Sequence, residues 1–170
     1  MQYDIKQYNR EQHDIFKALT VKQPYASLLL AKEHEDDNFA MKSIEVRSAK
    51  TSFRGDILIS SSKTPVIYGL ESGVSIGLVE LYDCKPCSKF TPEDWANTCI
   101  PESERSQYYK HWGWYMRNPR RVIEFPVTGQ LGIWTLIYTK GDITEYGNII
   151  KFDIESLKLI RKDIKNAQRK

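Results

Sequence analysis

Between Ile44 and Arg47 apolar Ile44 and Val46 alternate with charged Glu45 and Arg47. That two-residue period predicts a strand with one face buried and a polar face turned toward a cleft. Val74 to Cys84 alternates similarly in aliphatic and β-branched residues and predicts another strand. Ile57-Leu58-Ile59 is a short apolar run, introduced by Arg54-Gly55 and closed by Ser60 to Ser62 before Lys63, as for a strand entering a polar rim. Leu19 to Val21 reads as a short first strand. Val122 to Val127 and Leu131 to Thr139 flank Thr128-Gly129-Gln130 and predict a hairpin, with Trp134 inside its second strand.

Helical signals are fewer. Pro24 suits a first helical position, and Leu28, Leu29 and Leu30 follow, so a short helix is expected from Pro24 to Lys32. Thr91-Pro92-Glu93-Asp94 offers an N-cap, a proline in the first turn and an acid three residues on. Ile154, Leu157, Ile160 and Ile164 recur every three to four residues opposite Lys158, Arg161, Lys162 and Lys165, predicting an amphipathic helix that packs on the barrel or on a partner. Residues 1–17 read as a polar extension with at most one helical turn. The domain is expected over 18–140, followed by a C-terminal extension, 141–170, that turns polar through Gly141 and Gly147 before its helix. The whole predicts an α+β, β-rich fold.

Length and composition narrow the classes. The chain has 170 residues, 41% of them hydrophobic, enough for a single domain with its own core. No apolar run approaches bilayer length and Met1 to Gln12 is polar, so a soluble, cytoplasmic protein without membrane contact is expected. Three cysteines, an odd number, argue for a reducing compartment. Cys84-Lys85-Pro86-Cys87 has the spacing of half a zinc site, with Cys99 and His111 as lone further ligands on different elements; a zinc site needs a second close pair, so no metal is expected. His13 and His34 lie in polar surroundings without partners. Phosphate-loop, dinucleotide and serine-hydrolase motifs are absent, and no cofactor is expected.

The net charge of +3 is too mild to announce nucleic acid by itself. Local clustering says more. Arg117, Arg120 and Arg121 lie beside Trp112, Trp114 and Tyr115, a mixture that suits phosphate contact with base stacking but is more ordinarily a solvated basic turn next to core aromatics. Lys22 and Gln23 flank the expected helix start, where free N–H groups favour an anion or a polar ligand edge. Tyr25 could stack a base or fill the core, and Lys63 could face phosphate or only water. Arg47 presents a fork of donors for a phosphate or carbonyl. Glu45 could hold Arg47 or Arg54, or accept from a base amino group. Lys42 becomes a base or nucleophile if a dry cleft lowers its pKa.

Taken in order, Gln23-Pro24, Lys42-x-x-Glu45-x-Arg47, Arg54-Gly55 and Ile57-Leu58-Ile59 resemble the ASCH family, a small domain related to the PUA fold. Trp112-Gly113-Trp114 through Asn118-Pro119-Arg120-Arg121 to Gly129-Gln130-Leu131-Gly132-Ile133-Trp134 is similar to the closing part of such domains, and the likeness runs from about Ala18 to Ile137. The resemblance implies a PUA-like pseudobarrel of mixed strands with peripheral helices. It also implies binding of RNA or a nucleobase or nucleoside in a cleft lined by Lys22, Gln23, Lys42, Glu45 and Arg47, with Tyr25, Arg54 and Lys63 as further ligand contacts. Some small bacterial members are amidohydrolases that deacetylate N4-acetylcytidine with a lysine and a threonine three residues later. Here Lys42 stands at the lysine position but Glu45 replaces the threonine, and no residue matches their catalytic glutamate. A hydrolase of a modified nucleoside or of RNA, with Lys42 as activated amine and Glu45 as base, is therefore the alternative to binding. A protein-interaction adaptor using the C-terminal helix is the third reading.

Overall fold

Ile57, Leu58 and Ile59 are apolar in succession because their strand is buried on both faces. The computed structural model, which describes residues 2–141 and 154–166, leaves none of the three exposed. In chain order the elements are β1 (Gln2–Tyr3), β2 (His13–Val21), α1 (Tyr25–Leu28), β3 (Ile44–Arg47), β4 (Gly55–Ser61), β5 (Val74–Pro86), α2 (Pro92–Thr98), β6 (Trp112–Pro126), β7 (Ile133–Thr139) and α3 (Ile154–Asn166). Seven strands form one mixed sheet in the order β1-β7-β2-β4-β5-β6-β3, with β2 and β4 parallel at its centre.

One face of these central strands packs Leu19, Val21, Ile57 and Ile59 under Ala26, Leu29 and Leu30 of the α1 region. The other sets Ala18 and Leu58 against Val122 and Phe125 of β6 and Trp134 and Leu136 of β7. Strands β6 and β7 are not neighbours in the sheet, yet they share this cluster, so the sheet curls round it into an open pseudobarrel. An α+β, β-rich pseudobarrel with peripheral helices is what results.

Local signals and long-range ones fared differently. Thr91 and Asp94 form the predicted capping box, the Asp94 N–H donating to Thr91 Oγ1 at 3.1 Å and the Thr91 N–H to Asp94 Oδ2 at 2.9 Å. The expected 24–32 helix is a single turn, Tyr25–Leu28, with Pro24 outside it as the cap, because the chain folds back and the Lys42 N–H takes the Leu28 carbonyl. The first strand starts at His13 rather than Leu19, and Gln2 and Tyr3 pair with β7. The hairpin expected around Thr128-Gly129-Gln130 does not form: β6 pairs with β5 and β3, while β7 pairs with β2 and β1. Gly129 is there for close approach, since a Cβ would lie 2.6 Å from Thr20 Oγ1.

Gly77 shows the same constraint inside the sheet. A Cβ on it would stand 2.5 Å from the Arg120 carbonyl oxygen and 2.6 Å from Leu30. Gly77→Ala is expected to destabilise the fold by about 1–3 kcal/mol, read as a lower urea midpoint at unchanged slope.

The apolar stripe of α3 lies on its own domain. Leu157 inserts among Leu28, Ala31, Met41 and Cys99, with Ile154, Ile160 and Ile164 around it, and Arg161 pairs with Glu33. The stripe is therefore not free to hold a partner, which removes the apolar half of the adaptor reading. Gly147, like the rest of 142–153, lies outside the described residues. Among the described residues no helix is long and apolar enough to cross a membrane.

Candidate functional site

The parallel pairing of β2 and β4 brings their carboxyl ends out together. Thr20 lies opposite Ser60 and Val21 opposite Ser61, and the Ser62 N–H donates to the Val21 carbonyl at 2.9 Å, so Lys22 and Lys63 emerge side by side. Around that end opens a cavity of about 730 Å³. Strand β3 supplies Glu45 and Arg47, the start of α1 supplies Tyr25, the Val127–Gly132 crossover closes one side, and the 3₁₀ segment Glu102–Tyr108 adds Glu104 and Tyr108.

Glu45 and Lys42 are buried in the wall. Lys42, 2% exposed, donates from Nζ to the carbonyls of Ile44 (2.8 Å) and Thr98 (2.7 Å) and stands 3.4 Å from Glu45 Oε1. Its three N–H donors are thus matched by three acceptors. The other side of the carboxylate accepts from Arg47 Nη2 at 2.9 Å. Burial alone would push the Glu45 carboxyl up, but the Lys42 ammonium and then the Arg47 guanidinium outweigh it and hold it below the usual carboxylate range. Glu45 is a fixed anion.

Arg47 Nη2 also donates to the Thr20 carbonyl at 2.9 Å, tying edge strand β3 to central β2. Its Nε and Nη1 have no partner among the described residues, and the residue lines the cavity. Lys22 and Lys63 are exposed, and neither ammonium has a protein partner among the described residues. Half-buried Tyr25 has its hydroxyl pushed up by burial and then by Glu104, with lesser contributions from Cys99, Tyr108 and Glu45, so it stays protonated. The Lys42 ammonium lies 5.5 Å from the Tyr25 ring centre.

Two expected residues fall outside the cavity walls. Gln23 is buried and pins backbone: its carbonyl oxygen accepts from the Ser27 N–H at 3.0 Å and its Nε2 donates to the Glu71 carbonyl at 3.0 Å. Arg54 is exposed and donates to the carbonyls of Thr51 and Phe53. The one-turn α1 is too short to provide the helix-end anion site that Lys22 and Gln23 were expected to flank.

The arginine cluster is neutralised by carboxylates. Arg117 grips Glu80 with two bonds of 3.0 Å, Arg120 grips Asp56 at 3.1 and 2.6 Å, and Arg121 lies between Glu71 (2.9 Å) and Glu124 (2.7 Å). Trp114 and Trp134 are buried, Trp114 donating to the Ala49 carbonyl, and Trp112 is half-buried under Lys50. The stretch is not the solvated basic turn that was the alternative to phosphate contact: it runs within β6, with Arg121 buried and all three arginines paired. Cys84 is half-buried, while Cys87 and Cys99 are buried in different parts of the fold; burial pushes the Cys87 thiol up to about 11. Among the described residues no three metal-ligating groups converge.

Thr20, Glu104, Tyr108 and Leu131 were missed in the sequence. Glu104 and Tyr108 sit on a 3₁₀ segment without apolar periodicity, and Leu131 was assigned to a strand. In the structure Leu131 is 99% exposed, on a crossover bracketed by Gly129 and Gly132 at the cavity mouth. Its flanking glycines were the available signal.

Two solved structures share this architecture. The ASCH protein ZmASCH of Zymomonas mobilis, as a tyrosine-to-phenylalanine mutant, superposes with a TM-score of 0.53 at 10% identity, covering 85% of this chain and 95% of that one. The ASCH protein of Zymomonas mobilis in a second crystal structure gives 0.52 at 10% identity, covering 85% and 92%. At that identity the likeness concerns the fold alone. No curated protein sequence matches the chain. A sequence model of the ASCH domain matches residues 19–126, well over half of the chain. The chain belongs to the ASCH domain family.

Proposed function

We propose that the cleft binds RNA, taking a nucleobase or nucleoside unit against Tyr25 while Arg47, Lys22 and Lys63 meet phosphate or carbonyl oxygens. The observation that carries this reading is a contrast in how cations are used. Arg117, Arg120 and Arg121 are each spent on carboxylates, whereas Lys22, Lys63 and the outer nitrogens of Arg47 gather unpaired at one cavity. Unpaired cations beside an aromatic ring suit a phosphodiester with a base. Membership of a family generally read as RNA-binding points the same way.

Lys42 takes a holding role in this reading. A nucleophilic amine needs a free lone pair, and the Lys42 ammonium instead gives all three protons to Ile44, Thr98 and Glu45. The test is a salt series of fluorescence-anisotropy titrations with short single-stranded RNA. Arg47→Glu should lower affinity by about tenfold or more, and Lys22→Ala and Lys63→Ala should each make the salt dependence shallower by about one phosphate contact. Unchanged RNA affinity in Arg47→Glu, with the native circular dichroism spectrum retained, ends this reading.

A further inference from the structure

We infer that the crossover between β6 and β7 is a lid over the cleft, with Leu131 closing on the bound RNA. The inference rests on the RNA-binding reading above and deepens it by adding a moving apolar contact. Single exposed leucines are ordinary on protein surfaces, so the side chain alone says little. Its place says more. Leu131, 99% exposed, is the one large apolar residue of the cavity lining, among the described residues, whose side chain stands wholly in water.

The crossover has a fixed half and a free half. The Val127 N–H donates to the Gly73 carbonyl at 3.2 Å. The Thr128 N–H donates to Gln2 Oε1 at 3.1 Å and Gln2 Nε2 returns to the Thr128 carbonyl at 3.5 Å, so the N-terminal strand holds both backbone groups of Thr128. Gln2 is itself fixed opposite Tyr138 of β7. Gly129 then seats on β2, where a Cβ would lie 2.6 Å from Thr20 Oγ1. Beyond that seat, Gln130, Leu131 and Gly132 make no hydrogen bond among the described residues before β7 begins at Ile133. Gly132 has φ +66° and open space where a Cβ would stand. The exposed leucine therefore rides on a short unbonded tip between two glycines, whose backbones take up changes of φ and ψ most readily.

Closing that tip over a ligand takes the Leu131 side chain out of water. It also shuts water out of the space lined by Lys22, Lys63 and Arg47, where phosphate oxygens then meet the cations in a lower dielectric. RNA enters while the lid is open, so closure is felt as slower departure rather than faster arrival.

The test follows release of the short single-stranded RNA from the full chain, as the fall in fluorescence anisotropy after a chase with unlabelled RNA. Leu131→Ala, at an exposed position that leaves the fold intact, is expected to release it about five- to tenfold faster. The association rate and the salt dependence should not change, because the lost contact is apolar. Leu131→Met should restore the slow release. Hydrogen exchange read by mass spectrometry should show the amides of Gln130, Leu131 and Gly132 slowing when RNA is added to the native protein. Unchanged release from Leu131→Ala, or tip amides that exchange equally fast with and without RNA, overturns the lid while leaving RNA binding in place. Faster release accompanied by a shallower salt dependence overturns it too, since the loss then belongs to the cations. Failure of the native protein to bind the RNA overturns the binding reading, and the lid with it.

Discussion

Lys42→Ala is expected to cost the fold about 3–5 kcal/mol, the range found when one partner of a buried ion pair is removed and the other charge stays behind. Three acceptors lose their proton donor at once: the carbonyls of Ile44 and Thr98 and the Glu45 carboxylate. Thr98 ends α2, so the lysine joins α2 to β3 through the interior, where water cannot replace it. The sign of the pH dependence follows from Glu45. Its carboxyl lies lower in the folded chain than in the unfolded one, so its contribution is present above the unfolded carboxylate value and is lost as pH falls through the lowered folded value. Urea unfolding at neutral pH and again in acid should therefore show the difference between native protein and Lys42→Ala shrinking as Glu45 protonates. A variant as stable as the native protein would mean that Lys42 is not a holding residue, and the hydrolase reading would regain its nucleophile.

What was legible in the sequence was mostly local. The alternation from Ile44 to Arg47 is set by the pleat, so strand β3 and the Glu45–Arg47 pair could be read from residues two apart. The capping box of α2 spans four residues and formed as expected. Lys42 was harder, because two of its acceptors are backbone carbonyls, one of them on Thr98, and no side-chain pattern marks a carbonyl. The arginine cluster misled for a related reason. Its partners Asp56, Glu71 and Glu80 lie on β4, the β4–β5 connection and β5, far from the arginines in sequence, and only the assembled sheet and its connection bring them to Arg120, Arg121 and Arg117. Gly129 carried a turn signal that any hairpin would carry, yet its lack of a side chain serves the approach to Thr20. The family resemblance supplied the fold that these local signals could not assemble.

The largest effect away from the cleft is expected at Leu157. The side chain is 1% exposed and fills the space between Leu28, Ala31, Met41 and Cys99, so Leu157→Ala removes its transfer energy and leaves a cavity, together about 2–5 kcal/mol. Leu159, two residues on and 61% exposed, supplies the control, and Leu159→Ala should stay within about 0.5 kcal/mol. A helix that only rested on the domain until a partner arrived would show no such contrast, since neither leucine would then contribute to the unfolding equilibrium. The contrast also bears on the cleft. Tyr25 packs against the cluster that holds Leu157 as well as against the central core, so the C-terminal helix and the ring proposed to receive the base rest on common ground. Urea unfolding of the two variants, followed through both tryptophan fluorescence and far-ultraviolet circular dichroism, should show coincident transitions if α3 folds with the barrel. A separate early loss of helix signal in the native protein would instead make α3 an independent unit.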